Sequence, residues 1–291
     1  MAFELARSLG GQLISIDSMK VYKRMDIGTA KPPLEKRNRI PWHLIDVAEP
    51  YESFSVDRFL TLADQAVTAV TAAGRPVIAV GGTAMYIKAL LYGLFEAPAS
   101  DPAVRQRLKQ EIVEKGSDLL HRQLAQIDPD AAGRIHPNDQ RRIIRALEVY
   151  ELTGRPISAL QAQWDQSLPK DWTIIGLRRP KETENHRINL RVKRMIEQGL
   201  REEVRSLLAE PKPLSQQARA AIGYAEIIDH LEGKTGFDEA VEQIKINTRH
   251  LAKSQRTWFK TFPAVHWIDI EENQPLETIL SQTLQRLQTT P

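Results

Sequence analysis

The sequence predicts an α/β fold in which a parallel sheet with flanking helices is interrupted by a helical insertion. Short apolar runs alternate with amphipathic helices up to about residue 92. Strand character then disappears from about 103 to 168. It returns near 172 and again near 264. The expected division is residues 1–102 for the first part of the α/β core, 103–168 for the insertion, and 169–291 for the rest of the core with a basic C-terminal helix.

Residues 2–9 read as a helix, with Phe3, Leu5, Ala6 and Leu9 apolar and Gly10-Gly11 as the stop. Residues 12–16 read as a buried strand, and Asp17 follows it directly. His43-Leu44-Ile45-Asp46-Val47 is a second short apolar run. A helix is expected over about 55–73, closed by Gly74. Pro76 to Val80 is a clear buried strand that runs into Gly81-Gly82-Thr83 and a helix from Ala84 to Tyr92. In the insertion, helices are expected at Val104 to Lys115, Asp118 to Gln126 and Asp139 to Leu152. Trp172 to Leu177 reads as a strand, 182–209 and 237–262 as long helices, and Ala264 to Ile268 as the last strand.

Bulk properties narrow the class. With 42% hydrophobic and 26% charged residues, the chain is ordinary for a globular protein and is neither disordered nor fibrous. The absence of cysteine excludes disulfides, cysteine-based zinc sites and a cysteine nucleophile. No apolar run reaches the roughly 18 residues of a membrane span, and the N-terminus lacks a signal-peptide pattern, so a cytoplasmic location is expected. A net charge of +3 is compatible with a polyanionic partner without singling one out.

Asp17 and Gly81-Gly82-Thr83 each follow a strand, so both are expected on the carboxyl edge of the sheet, where open α/β folds bind ligands. Thr83 could cap the helix that starts there, and free N–H groups at that end would favour an anion. A carboxylate near such a site suits a base acting beside a phosphorylated substrate. The blander reading is a turn and a helix cap. Lys245, Arg249, Lys253, Arg256 and Lys260 are spaced four, four, three and four apart and form one helical stripe. It suits a phosphate backbone, or it is simply a solvated face. Arg141 with Arg145, and Arg187 with Arg191 followed by Lys193 and Arg194, are further clusters with pairs one turn apart, a spacing that suits a pyrophosphate or simply a solvated surface. His43, His121, His136 and His266 have no metal-ligand spacing and read as structural.

Taken together, these blocks resemble the tRNA dimethylallyltransferase (tRNA isopentenyltransferase) family. The matching pieces run in family order. They are Ile16-Asp17-Ser18-Met19, Met25 to Lys31, His43-Leu44-Ile45-Asp46, Val80-Gly81-Gly82-Thr83 and Ser100-Asp101-Pro102. Leu119-Leu120-His121, Arg134 to Asp139, Arg145 to Val149, Gly199-Leu200 with Glu203-Val204, Ile222-Gly223-Tyr224, and Thr248-Arg249 with Leu251-Ala252-Lys253 complete the set.

The resemblance implies a P-loop-NTPase-like sheet. It also implies transfer of a dimethylallyl group from dimethylallyl diphosphate to the N6 amine of the adenosine just 3′ of the anticodon, in tRNAs reading codons that begin with U. By carry-over, Asp17 is the general base, Thr83 contacts the reacting adenosine, and Arg187 and Arg191 grip the pyrophosphate, with Mg²⁺ as its expected partner. Contacts to the tRNA anticodon stem-loop fall on Asp17, Ser18, Met19, Lys20, Thr83, Arg105, Gln140, Arg141, Arg142, Ile143 and Ile144. They continue on Arg219, Gly223, Tyr224, Lys253, Arg256 and Lys260. A monomer is expected.

The sequence departs from the family pattern in lacking the strand and Walker-type phosphate loop that precede the segment matching residues 2–9. That strand is central in the family's sheet. Met1 is therefore expected to be an internal methionine of a longer protein, and the short form is expected to show little transfer. Lys20 and Ser254 stand where the family commonly has Gln and a basic residue. An adenylate isopentenyltransferase acting on a free nucleotide, a phosphate-loop nucleotide kinase and an inactive tRNA-binding protein remain as alternatives. The insertion and basic stripe weigh against the first.

Overall fold

The computed structural model describes residues 1–94, 98, 100–160, 172–262 and 265–289. The insertion boundary expected at 168–169, and Ala264, lie outside the described residues. The first elements are α1 (Ala2–Leu9), β1 (Gln12–Ile16), α2 (Leu34–Arg39), β2 (Trp42–His43), α3 (Val56–Ala72), β3 (Val77–Gly81) and α4 (Ala84–Tyr92). Then come α5 (Pro102–Lys115), α6 (Ser117–Ile127), α7 (Pro129–Arg134), α8 (Gln140–Thr153) and α9 (Ile157–Leu160). The remainder are β4 (Ile174–Arg178), α10 (Lys181–Glu197), α11 (Leu200–Leu208), α12 (Gln216–Arg219), α13 (Tyr224–Leu231), α14 (Phe237–Phe259), β5 (Val265–Asp269) and α15 (Leu276–Thr289). The chain falls into two units, Met1–Leu91 with Lys170–Pro291, and Tyr92–Pro169.

Among the described residues of the first unit every strand pairing is parallel. Three strands pair in the order β2-β1-β3, and β4 pairs with β5 in a second sheet. β1 is the most enclosed strand, with Leu13, Ile14, Ser15 and Ile16 all buried, because both its edges are paired. Its inner face meets the main core, which contains Ile14, Ile16, Tyr22, Met25, Phe59, Val192, Leu200, Tyr224 and Ile244. One stripe each of α10, α11, α13 and α14 therefore closes over the segment after β1.

Two expectations change in detail. The apolar run at His43 to Val47 is a strand only at Trp42–His43. Leu44 and Asp46 are left-handed, with φ of 61° and 58°, which no strand accommodates. Asp46 is held there by Lys31, at 2.6 Å, and by Arg37. The long helix expected over 182–209 is two helices, because Gly199, at φ 98°, breaks the chain between α10 and α11.

The second unit is helical throughout its described residues, and its core gathers Leu108, Leu120, Leu124, Ile143, Leu147 and Val149. A buried carboxylate, Glu148, ties α5 to α8. It accepts from the Asp101 N–H, from Arg105 twice and from Arg145. His121 Nε2 lies 3.1 and 2.8 Å from the carbonyls of Ala132 and Ile135, which accords with its structural reading. Among the described residues, no helix is long and apolar enough to cross a membrane.

Candidate active site

β1 and β3 are in register, with Ile16 opposite Gly81. The contact is too close for any side chain, since a Cβ on Gly81 would lie 1.9 Å from the Ile16 carbonyl oxygen. Glycine there brings the segment after β1 against the segment after β3. The Thr83 hydroxyl oxygen accepts from the Ser18 N–H at 3.1 Å, so it bridges the two strand ends where a cap on its own helix was expected. Asp17 Oδ1 accepts from the Met19 and Lys20 N–H groups at 2.9 and 3.2 Å. Lys20 Nζ stands 3.8 Å from Oδ2, an ion pair too long for a hydrogen bond, and among the described residues no hydrogen bond reaches that oxygen.

The segment after β1 opens on a cleft of about 740 Å³, a size that suits a cofactor-sized ligand, while Thr83 stands behind Ser18 and is not part of its lining. Asp17, Ser18, Met19 and Lys20 line it together with Gly28 to Ala30, Arg187, Arg191, Gly223, Thr248 and Gln255. α10 supplies the cations. Arg187 and Arg191 are one turn apart, and Arg194 continues their face into the cleft. Arg179 also lines it. Desolvation lowers the Arg191 pKa, while the charge of Asp17 opposes the change. The residue is nonetheless solvent-exposed. Burial and the charge of Arg187 lower the Arg179 pKa. Arg187 and Arg179 repel one another, and the four arginines and Lys20 outnumber the carboxylates of the lining, Asp17 and Glu184, which leaves the cleft electropositive. Apolar side chains of Met19, Ile188, Leu190 and Leu251 share the lining.

The sequence did not single out Arg179; it offered Arg194 only as a neighbour of the Arg187 and Arg191 pair, and Gln255 only within the Lys253 to Lys260 segment. Gln255 Nε2 donates to the Gly82 carbonyl at 2.9 Å and joins α14 to the β3–α4 turn. Its place one position before Arg256, off the basic stripe, gave no signal of its own.

The basic stripe is less bare than its spacing suggests. Glu242 lies 3.0 Å from Lys245 and 3.6 Å from Arg249. Arg256 pairs with Glu184 of α10. The carboxylates missing from the stripe's own rows come from one turn earlier and from a neighbouring helix. Lys253 and Lys260 stay exposed, and no ion pair involves either among the described residues. Arg219 is exposed and pairs with Glu232. Tyr224, expected at the RNA, is fully buried, and its hydroxyl donates to Glu203 at 2.6 Å. Gly223 beside it does line the cleft.

In the second unit, Ile143 and Ile144 point into the core, because they lie on the apolar face of α8, so their side chains are not available to RNA. Gln140, Arg141 and Arg142 are exposed on the same helix. Arg105 is half-exposed and held by Glu148.

A family model described as IPP transferase matches residues 20–262. The chain belongs to the tRNA dimethylallyltransferase family. It is 46% identical to a tRNA dimethylallyltransferase of Geobacillus thermodenitrificans over 273 residues, covering 94% of this chain and 86% of the relative. It is 44% identical to one of Geobacter metallireducens, covering 92% and 87%. Among solved structures, the full-length tRNA isopentenylpyrophosphate transferase of Bacillus halodurans is 37% identical, with a TM-score of 0.72 over 99% of this chain and 90% of that one. A eukaryotic dimethylallyltransferase acting on tRNA is 26% identical, with a TM-score of 0.80 over 100% and 76%. The α/β architecture read from the sequence is thus the architecture of this family.

Proposed function

We propose that this chain transfers a dimethylallyl group from dimethylallyl diphosphate to the N6 amine of the adenosine 3′-adjacent to the anticodon, in tRNAs reading U-initial codons. The observation that carries the reading is the single cleft in which the Asp17 carboxylate meets the arginine face of α10. Asp17 Oδ2 takes a proton from N6 as the amine bonds to the allylic carbon, because an aromatic amine is a poor nucleophile. The C–O bond to the diphosphate breaks, and Arg187 and Arg191 receive the negative charge that leaves. The apolar lining suits the five-carbon chain. The target base is splayed out of the anticodon loop to reach Asp17, and the exposed cations Lys253, Lys260, Arg141 and Arg142 hold RNA phosphates.

Among the described residues no group of three or more His, Asp or Glu side chains could hold a metal alone. The Ser18 and Thr83 hydroxyl oxygens nevertheless lie 3.5 Å apart, two hard donors in the segments that follow β1 and β3. That set fits an Mg²⁺ ion bound chiefly through diphosphate oxygens. When bound, the ion would neutralise charge on the diphosphate.

The test is a transfer assay with labelled dimethylallyl diphosphate and competing acceptors. Label on tRNA, retained with excess adenosine monophosphate, is the expected result. Label on the free nucleotide alone would assign the chain to nucleotide prenylation, and no label on either refutes transfer.

A further inference from the structure

The loop that walls the cleft at Gly28 to Ala30 is held by a residue outside it, Glu203 of α11. Three consecutive backbone N–H groups, those of Asp26, Ile27 and Gly28, point at its carboxylate at 3.0, 2.9 and 3.3 Å. The Tyr224 hydroxyl donates to the same carboxylate at 2.6 Å. Such a run of N–H groups is an anion-binding cradle. Here a side chain of the protein fills it, so it is closed to substrate phosphate and its part is to set shape. The match is close. Two carboxylate oxygens offer about four lone-pair sites, and four donors converge on them.

The loop is clamped from its other side as well. A Cβ on Gly28 would lie 2.4 Å from the Tyr224 ring, and that ring is fully buried. Burial and the Glu203 charge push the Tyr224 pKa up, so its hydroxyl remains a donor. At the loop's end Lys31, with only 2% of its side chain exposed, bonds Asp26 and Asp46. Gly28, Thr29 and Ala30 line the same cleft as Asp17 and Arg191.

We propose that Glu203 is a positioning residue for prenyl transfer: by filling the cradle at Asp26 to Gly28 it fixes the cleft wall against which the reacting groups are oriented. This rests on the transferase reading above. A charged group is needed because a glutamine presents one acceptor and one NH₂, and the NH₂ would face N–H donors.

The experiment compares the full-length protein with Glu203→Gln, which keeps the side-chain volume, and with Tyr224→Phe, which removes one donor of the four. Glu202→Gln, on an exposed side chain of the same helix, is the control. In Glu203→Gln, amide exchange at residues 26–28 should accelerate by about tenfold or more, with β1 amides unchanged, as charge-assisted bonds are lost. The kcat at saturating substrates should fall by about tenfold or more, with the KM for dimethylallyl diphosphate within about twofold. Tyr224→Phe should move both readouts the same way by less, and Glu202→Gln neither. Unchanged exchange at 26–28, faster exchange with unaltered kcat, or equal loss of protection in β1 would each overturn the positioning role alone. No transfer by the wild-type chain overturns the transferase reading and this role together.

Discussion

Replacing Glu148 with glutamine should destabilise the helical unit by about 2–3 kcal/mol. The carboxylate is fully buried. Its Oε1 accepts from the Asp101 N–H and Arg105 Nε, both at 2.8 Å. Its Oε2 accepts from Arg105 Nη2 at 3.1 Å and Arg145 Nη1 at 2.6 Å. Glutamine can keep the first two contacts through its oxygen. Its NH₂ then faces two guanidinium N–H groups, so two charge-assisted bonds of about 1.5–3 kcal/mol each are lost. The arginine side chains are 40% and 28% exposed, and water takes up part of what they lose, which brings the sum down to the stated range.

Urea unfolding followed by helical circular dichroism at neutral pH reads the difference, with the m-value unchanged. Acid supplies a second check. Burial alone would raise the Glu148 pKa, but the bonds from Arg105, Arg145 and the Asp101 N–H outweigh it and hold the pKa below the ordinary glutamate value. A carboxylate with a depressed folded pKa contributes stability that is present above its unfolded pKa and lost as pH falls through the folded one. The gap between wild type and Glu148→Gln should therefore be constant near neutrality and close in acid. A neutral-pH difference below about 0.5 kcal/mol, the scatter of ordinary surface substitutions, would refute the argument. So would a gap that widens in acid.

Three further outcomes follow from the cleft. Asp17→Asn keeps an oxygen for the Met19 and Lys20 N–H groups, so folding and tRNA affinity should hold while transfer falls by about a hundredfold or more in steady-state assays. Arg191→Gln should weaken inorganic pyrophosphate binding, measured by calorimetry, by about tenfold; unchanged binding would move the anion site elsewhere. Gly28→Ala drives a methyl group into the buried Tyr224 ring and should lower stability by about 1–3 kcal/mol, read as a drop in Tm.

Much of the scaffold is legible locally. The apolar run at Gln12 to Ile16 forms a strand because nothing in it breaks the extended backbone, and Asp17 after it necessarily falls at the strand's carboxyl end. The same holds for β3 and the Gly81-Gly82-Thr83 turn. The α10 arginines share a face through their four-residue spacing alone. Where local patterns mislead, a partner distant in sequence decides. Asp46 is drawn out of a strand by Lys31 and Arg37. Arg256 loses its place among free cations to Glu184.

The residues thus determine by themselves the α/β class, the Asp17 carboxylate at a strand end and the guanidinium pairs on one helix face, since each follows from backbone periodicity within a few residues. Only the tertiary structure decides which side chains remain free to act. Tyr224 is packed in the core and bonds Glu203, 21 residues away, and Glu203 in turn holds a loop about 175 residues away, at Gly28. Hydrogen bonds of that reach depend on how helices pack over the sheet, and packing is a property of the whole chain.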